Sequence, residues 1–378
     1  MRDYLTQFAE PFGYLDFARF GPVSESVRRV HVREADRLHR RGWAALERLD
    51  AEAGASARTA GGLLGCAPHE IAFVSSTSHG LFAAAHAFTR PRAGGPGTVL
   101  VARTDFPGAL YPWLRASGNG GLTARLLDGP LTVDTVRARL DDRVRAVAVC
   151  AVDAATGRRA PLAGLKELIG PDRVLVVDAV QALGAVEFDA DAADVLAAGG
   201  QKWLRAGWGA AVLMVRDRVA GLLGPGLGGW SGVVDPLEAP AHPCPPRPGA
   251  VAHTLTNPDG VAVAALGAAL ALLRDTGAGR IEARIGEVLG GLLAAARAAG
   301  AETAGGPGEP GGRGSGIARL RLPGADPAAV HRALTATGLA TTLRGGWIRL
   351  SPHASTDPAT AEPLAEVLGR VRRGVRVG

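Results

Sequence analysis

The sequence predicts an α/β fold, with a mostly parallel sheet flanked by helices and a smaller α+β domain toward the C-terminus. Three observations lead there. Short apolar, β-rich runs alternate with Ala-, Leu- and Arg-rich helical stretches from about residue 60 to 215. Those runs are continuously apolar, as in strands covered on both faces. The 378 residues also exceed the usual size of one domain, so two are expected.

Strands are expected at Ile71–Val74, Thr98–Ala102, 146–152, 173–177 and 210–215, and their alternation with helices makes the sheet mostly parallel. Residues 221–250 are rich in Gly and Pro and read as a long irregular loop. Helical segments follow at about 258–275 and 280–299. GGPGEPGGRGSG (305–316) reads as a flexible turn, because the strand GIARLRLPG comes directly after it. A helix at 327–337, a strand at Trp347–Leu350 and a helix at 358–372 complete the chain. The expected division places residues 1–255 in the large domain and 256–378 in the small one.

Apolar residues at 47% and charged residues at 21% describe an ordinary soluble globular protein. The apolar stretch 261–273 is too short to cross a bilayer, so no membrane partner is expected. The N-terminal MRDYLTQFAEPFGYLDF carries acids and no apolar signal core. Cys66, Cys150 and Cys244 share no CxxC spacing, which argues against a disulfide framework or a metal site and fits a reducing cytoplasm. The net charge of +6 is spread along the chain among acids, without the aromatic-basic alternation of a nucleic-acid surface.

Lysine plus arginine total 42, yet lysine occurs only at Lys166 and Lys202. A lysine that persists where arginine has taken over needs a reason, because arginine stays protonated and cannot form an imine. Lys166, in LAGLKELIG, is expected as a solvated charge on the polar face of a helix. Lys202, in AAGGQKWLRAGWGAAVLMV, stands between small residues and a strand, where a desolvated nucleophilic amine belongs.

Asp178 ends the strand of RVLVVDAVQALG, with Gln181 three residues on and Lys202 further along. An acid at the carboxyl end of a parallel strand opens into the crevice where α/β sheets bind ligands. Pyridoxal-phosphate (PLP) chemistry needs such a pair: a lysine to form the imine, and a carboxylate to keep the pyridine nitrogen protonated. In FVSSTSHGLFAAAHAF (73–88) a strand gives way to Ser75, Ser76, Thr77 and Ser78 at a helix start, an anion site suited to a phosphate. Taken singly, Asp178 reads rather as an ordinary strand-end turn cap, and these hydroxyls as ordinary N-caps.

The ordered set FVSSTSHG, TDFPGALYPW (104–113), VVDAVQALG, GGQKWLRAGWG, TLTNPDGVAVAALGAAL and WIRLSPH resembles the aminotransferase class V family of PLP enzymes. The likeness is to its kynureninase-like, isopenicillin-epimerase-like and carbon–sulfur-lyase branches, over about residues 70 to 370. It implies PLP fold type I: a seven-stranded, mostly parallel sheet in the large domain, and a homodimer with active sites at the subunit interface. It implies Lys202 as the imine lysine, Asp178 as partner of the pyridine nitrogen and Gln181 as contact of the ring hydroxyl oxygen. Phe106 falls where the family stacks a His or Phe on the cofactor, although it also reads as core. Thr77 and Ser78 match the phosphate loop, and Gln201 stands where the family often has a phosphate-binding His. Thr256 matches the threonine that reaches the phosphate from the partner subunit, and Arg349 the arginine that clamps the substrate α-carboxylate.

Four departures bear on function. Gly199 replaces a Ser that many relatives carry. Asp153 fills a slot often held by Asn or Ser near the ring oxygen, so it is either turned away or bound elsewhere. Ala154 and Ala155 leave room for a larger substrate. The run GLATTLRGGWIRLSPH holds no cysteine, which cysteine desulfurases need there to accept sulfur. The missing cysteine sets desulfurase activity aside, and the branch likeness together with Ala154 and Ala155 favours a lyase that expels a β-substituent, thiol-linked, from a cysteine-like amino acid. An aminotransferase and an amino-acid epimerase are the alternatives, followed by a non-catalytic protein that keeps the fold.

Overall fold

The computed structural model describes residues 1–88, 97–237, 243–306 and 314–374. Seven strands form the larger sheet: β1 (Ile71–Val74), β2 (Thr98–Ala102), β3 (Thr123–Leu127), β4 (Val144–Cys150), β5 (Val174–Asp178), β6 (Val195–Gly199) and β7 (Ala211–Val215). Their spatial order is β1-β7-β6-β5-β4-β2-β3. The strands from β2 to β6 run parallel, and β7 is antiparallel to both of its neighbours, β6 and β1. The expected mostly parallel sheet is therefore present, and the five strands read from the sequence lie within a residue or two of their places.

Two strands of this sheet lacked an apolar signal. β3, TARLL, is an edge strand whose residues are mostly only half-buried, so the demand for apolar residues is weaker there. β6, VLAAG, is fully buried but built from small residues. Its smallness is a packing requirement: a Cβ on Gly80 of the helix above would come within 3.0 Å of the Ala197 Cβ.

The helices are α1 (Arg2–Leu5), α2 (Glu25–Arg41), α3 (Leu46–Leu64), α4 (Thr77–Ala87), α5 (Pro107–Gly118), α6 (Val133–Arg137) and α7 (Leu162–Ile169). The later ones are α8 (Gly260–Thr276), α9 (Ala278–Ala298), α10 (Pro327–Ala336) and α11 (Ala361–Arg372). Asp259 starts α8 by accepting from the amides of Val261 and Ala262. The division placed at residues 255 and 256 falls just ahead of α8, whose apolar side packs on α2 and α3 in the core of the large sheet. The smaller sheet has its own core, built from residues of α9 onward together with Leu15 of the N-terminal segment. No single helix among the described residues is long and apolar enough to cross a membrane; α8 and α9 reach that composition only as a pair bent by 84°.

The smaller sheet is antiparallel throughout, in the order β10-β11-β9-β8, with β8 (Glu302–Gly305), β9 (Ala318–Arg321), β10 (Thr342–Arg344) and β11 (Trp347–Leu350). Gly345 and Gly346 join β10 to β11, and both have positive φ (56° and 77°), the backbone that a two-residue hairpin demands. Part of the expected turn at 305–316, residues 307–313, lies outside the described residues, as do residues 238–242 of the loop at 221–250.

One expectation needs correction. Lys166 is not a solvated charge. Its ammonium donates to the carbonyls of Gly170 (3.1 Å) and Arg173 (2.9 Å) and to Asp194 Oδ2 (2.7 Å), an acid with no exposure. Three acceptors match the three N–H bonds of an ammonium, an arrangement the planar arginine fork does not reproduce.

Candidate active site

The site is built where the carboxyl ends of the parallel strands meet the loop after β6. Asp178, the last residue of β5, is buried, and its Oδ1 accepts from the Val180 amide at 3.0 Å. Lys202 follows β6 by three residues, and its Nζ lies 5.5 Å from the centre of the Phe106 ring. Burial pushes the Lys202 amine below the usual lysine value; Asp178 opposes that, and Arg349 adds to it. Burial likewise pushes the Asp178 carboxyl up, against the Val180 amide and the Lys202 charge.

Small residues bring the rest together. The Gly199 amide donates to Thr77 Oγ1 at 2.8 Å, tying the start of α4 to the lysine loop. A Cβ on Gly199 would fall within 2.2 Å of Gln201 Oε1 and 2.9 Å of Thr77 Oγ1, so the space of the missing serine is filled by the Gln201 carboxamide. A Cβ on Gly108 would lie 3.3 Å from the Phe106 ring and 3.4 Å from Ser78 Oγ, which places that ring beside the α4 N-terminus. The amides of Thr77 and Ser78 have no intrahelical acceptor, as at the start of any helix.

Gln181 is buried just after β5. Its Nε2 donates to the Ala18 carbonyl and its Oε1 accepts from Trp203 Nε1, both at 2.8 Å. Arg349 is buried on β11, with Nη1 donating to the Ala154 carbonyl and Nη2 to Asp16 Oδ1, each at 2.8 Å. Its Nε is buried with no partner. Thr256 stands apart from this group: it is exposed, and its hydroxyl accepts from Trp230 Nε1 at 3.2 Å. Asp153 is resolved as bound elsewhere, since its Oδ1 accepts from the amides of Ala155 and Thr156 and from the Thr156 hydroxyl.

Residues 22–348 match the aminotransferase class-V family. The chain belongs to that family. A curated class V relative, kynureninase from Deinococcus radiodurans, is 31% identical over 223 residues, which is 58% of this chain and 53% of that protein. The chain spans about half the length of the curated relatives it matches. Among solved structures, a cysteine desulfurase from Thermococcus onnurineus superposes with a TM-score of 0.83 at 20% identity, covering 96% of this chain and 95% of that one. The cystine C–S lyase C-DES, in complex with cysteine persulfide, gives 0.83 at 17% identity over 94% and 97%. At these identities the structures show the shared fold, PLP fold type I.

PLP is the cofactor of class V enzymes, and the residues assembled here fit it. A buried acid and a desolvated amine are close enough to act on one another electrostatically, an aromatic ring with 41% exposure lies 5.5 Å from that amine, and the first turn of an 11-residue helix is tied to the lysine loop through Thr77. The unpaired buried Nε of Arg349 marks a donor still awaiting an acceptor.

Sequence reading missed the contribution of residues 14–24. This segment pairs with the small sheet through Tyr14–Ala340 and Asp16–Ser351 bridges. It then gives Asp16 to Arg349, the Ala18 carbonyl to Gln181 and the Gly21 amide to the Gln201 carbonyl at 2.9 Å. A Cβ on Gly21 would lie 2.1 Å from the Lys202 carbonyl oxygen. The available signal was Asp16 itself, an acid between Leu15 and Phe17, both without exposure. Arg205 was missed as well. It holds a positive φ of 56°, a strained backbone for a non-glycine residue, while its amide donates to the Lys202 carbonyl. Its fully buried guanidinium pins that shape by bonding Glu10, Ser355 and the Pro22 carbonyl.

Proposed function

We propose that this class V protein is a PLP-dependent lyase that eliminates a thiol-linked β-substituent from a cysteine-like amino acid. PLP, when bound, supplies the electron sink that makes an α-proton removable. Lys202 would hold the cofactor, with Asp178 at the pyridine nitrogen, Phe106 on the ring face and Gln181 at the ring oxygen. Thr77, Ser78 and Gln201 would take the phosphate, joined by Thr256 of a second copy in a homodimer. Arg349 would receive the α-carboxylate.

Lys202 then moves the α-proton, a task that suits an amine whose proton affinity burial has lowered. Loss of that proton and cleavage of the Cβ–S bond release the thiol, and hydration of the remaining fragment gives pyruvate and ammonia. One observation carries the choice of reaction: the β10–β11 hairpin beside Arg349 reads Thr-Leu-Arg-Gly-Gly-Trp and offers no cysteine to accept sulfur. That sets sulfur transfer to the protein aside, so any sulfur that leaves does so on the β-substituent. Ala154 and Ala155 keep that side of the site free of bulky side chains.

The test is incubation of the cofactor-loaded protein with a panel of amino acids and cysteine conjugates. Pyruvate and ammonia released without an added keto acid support elimination. Turnover that requires a keto acid overturns it in favour of transamination.

A further inference from the structure

One face of the small sheet is dense in arginine. Thr342 pairs with Arg349, Arg344 with Trp347, and Arg349 with Arg319. Residues two apart on a strand share a face, and so do paired residues on neighbouring strands. Arg319, Arg321, Arg344 and Arg349 therefore project from the same side of the sheet, together with Trp347. That side faces the site, because it carries Arg349.

Two of these four cations are neutralised. Arg349 pairs with Asp16, and Arg321 pairs with Glu302. The other two have aromatic partners and, among the described residues, no acid. The Arg319 guanidinium lies 4.6 Å from the Trp347 ring centre, and its buried Nε has no acceptor. The Arg344 guanidinium lies 5.5 Å from the centre of the Phe106 ring, the ring that is also 5.5 Å from Lys202 Nζ. Arg344 is thus at most twice that distance from the reacting amine, at the exposed mouth of the site. An aromatic face satisfies a guanidinium without using its N–H edge, so the fork stays free for an anion.

We propose that Arg344, on the same sheet face as Arg319, is a specificity-determining residue that receives a second acidic group, at the far end of the substrate's β-substituent. The inference rests on the reading of this crevice as an amino-acid site with Arg349 at the α-carboxylate. The substrate class is then a cysteine thioether or mixed disulfide ending in a carboxylate or a similar anion. Neutral and amine-tailed conjugates would leave Arg344 unpaired or repelled.

Three probes of matched length test this in the cofactor-loaded enzyme: S-(2-carboxyethyl)cysteine, S-propylcysteine and S-(2-aminoethyl)cysteine. Binding is read from the change in the bound cofactor's visible absorption, and turnover separately from pyruvate. Wild type should bind the carboxyethyl compound about tenfold more tightly than the propyl one, the gain of a single charge-assisted hydrogen bond. Arg344→Gln should collapse that ratio toward one, Arg344→Lys should keep part of it, and Arg344→Glu should shift preference to the aminoethyl compound. A ratio unchanged within about twofold in Arg344→Gln, or tightest binding of the aminoethyl compound by wild type, overturns the inference. Absence of pyruvate from all three would count against the lyase reaction while leaving the binding order to decide on Arg344.

Discussion

Removing Asp16 tests whether the N-terminal segment is part of the site. Asp16 and Arg349 each expose about 7% of their side chains and meet at 2.8 Å. Asp16→Ala leaves Arg349 with the Ala154 carbonyl and a long contact to Thr342 at 3.4 Å. Deleting one partner of a buried ion pair costs about 3–5 kcal/mol, because the other charge stays buried. Unfolding entropy of about 2.1 cal/mol/K per residue gives roughly 0.8 kcal/mol/K for a chain this long. The thermal midpoint of Asp16→Ala should therefore fall by about 5 °C. Asp16→Asn keeps an acceptor for Arg349 and a polar partner for the Thr342 hydroxyl, so its loss should be near 1–2 °C, on the order of one hydrogen bond. Propionate should recover part of the Asp16→Ala loss and do less for wild type, since a carboxylate can take the emptied place beside Arg349. Differential scanning calorimetry at several propionate concentrations reads both effects. A midpoint within 1 °C of wild type, or equal propionate effects on the two proteins, would refute the reasoning.

Further outcomes follow from the same geometry. Asp178→Asn should retain PLP but lose at least about 100-fold in turnover, because a neutral amide cannot hold the pyridine nitrogen protonated; near-normal rates would assign that charge to another residue. Asp105 is pushed up to about 7 by burial and by Asp153 and Asp178. Because its folded-state value lies above the ordinary one, its ionisation drains stability as pH rises from about 4 through 7. Asp105→Asn should remove that decline in the thermal midpoint, and parallel pH curves for the two proteins would contradict it. A dimer pairing a Lys202→Ala subunit with a Thr256→Ala subunit should regain roughly half of wild-type activity if Thr256 serves the other subunit's phosphate, since one of its two sites is then intact. Activity no higher than that of the single variants would place Thr256 in its own subunit's site.

The large sheet was legible because buried parallel strands must be apolar along their whole length, as in VLVV of β5. β6 and the site's packing were harder to read, since closeness there is achieved with Ala and Gly, which carry no strand signal. Lys202, Asp178, Thr77 and Ser78 stood out by residue type at or just beyond element ends, whereas Phe106, Gln201 and Arg349 stood out only through the likeness to the family's motifs; the structure ties the lysine loop to Thr77 and sets the Phe106 ring 5.5 Å from Lys202 Nζ. Asp16 and Arg205 escaped because their work depends on contacts between distant segments, Asp16 with β11 and Arg205 with Glu10 and Ser355. The Arg344 and Arg319 face was hidden for a further reason: in a chain with 40 arginines beside its two lysines, only sheet register separates a directed cation from a solvated one.

The central claim is that Lys202 carries the cofactor, and covalent trapping tests it most directly. The protein is saturated with PLP, reduced with borohydride, digested and mapped by mass spectrometry. The pyridoxyl group should appear on the peptide containing Lys202 and not on Lys166, whose three donors are already engaged. Label on Lys166, or none on either lysine, would contradict the account.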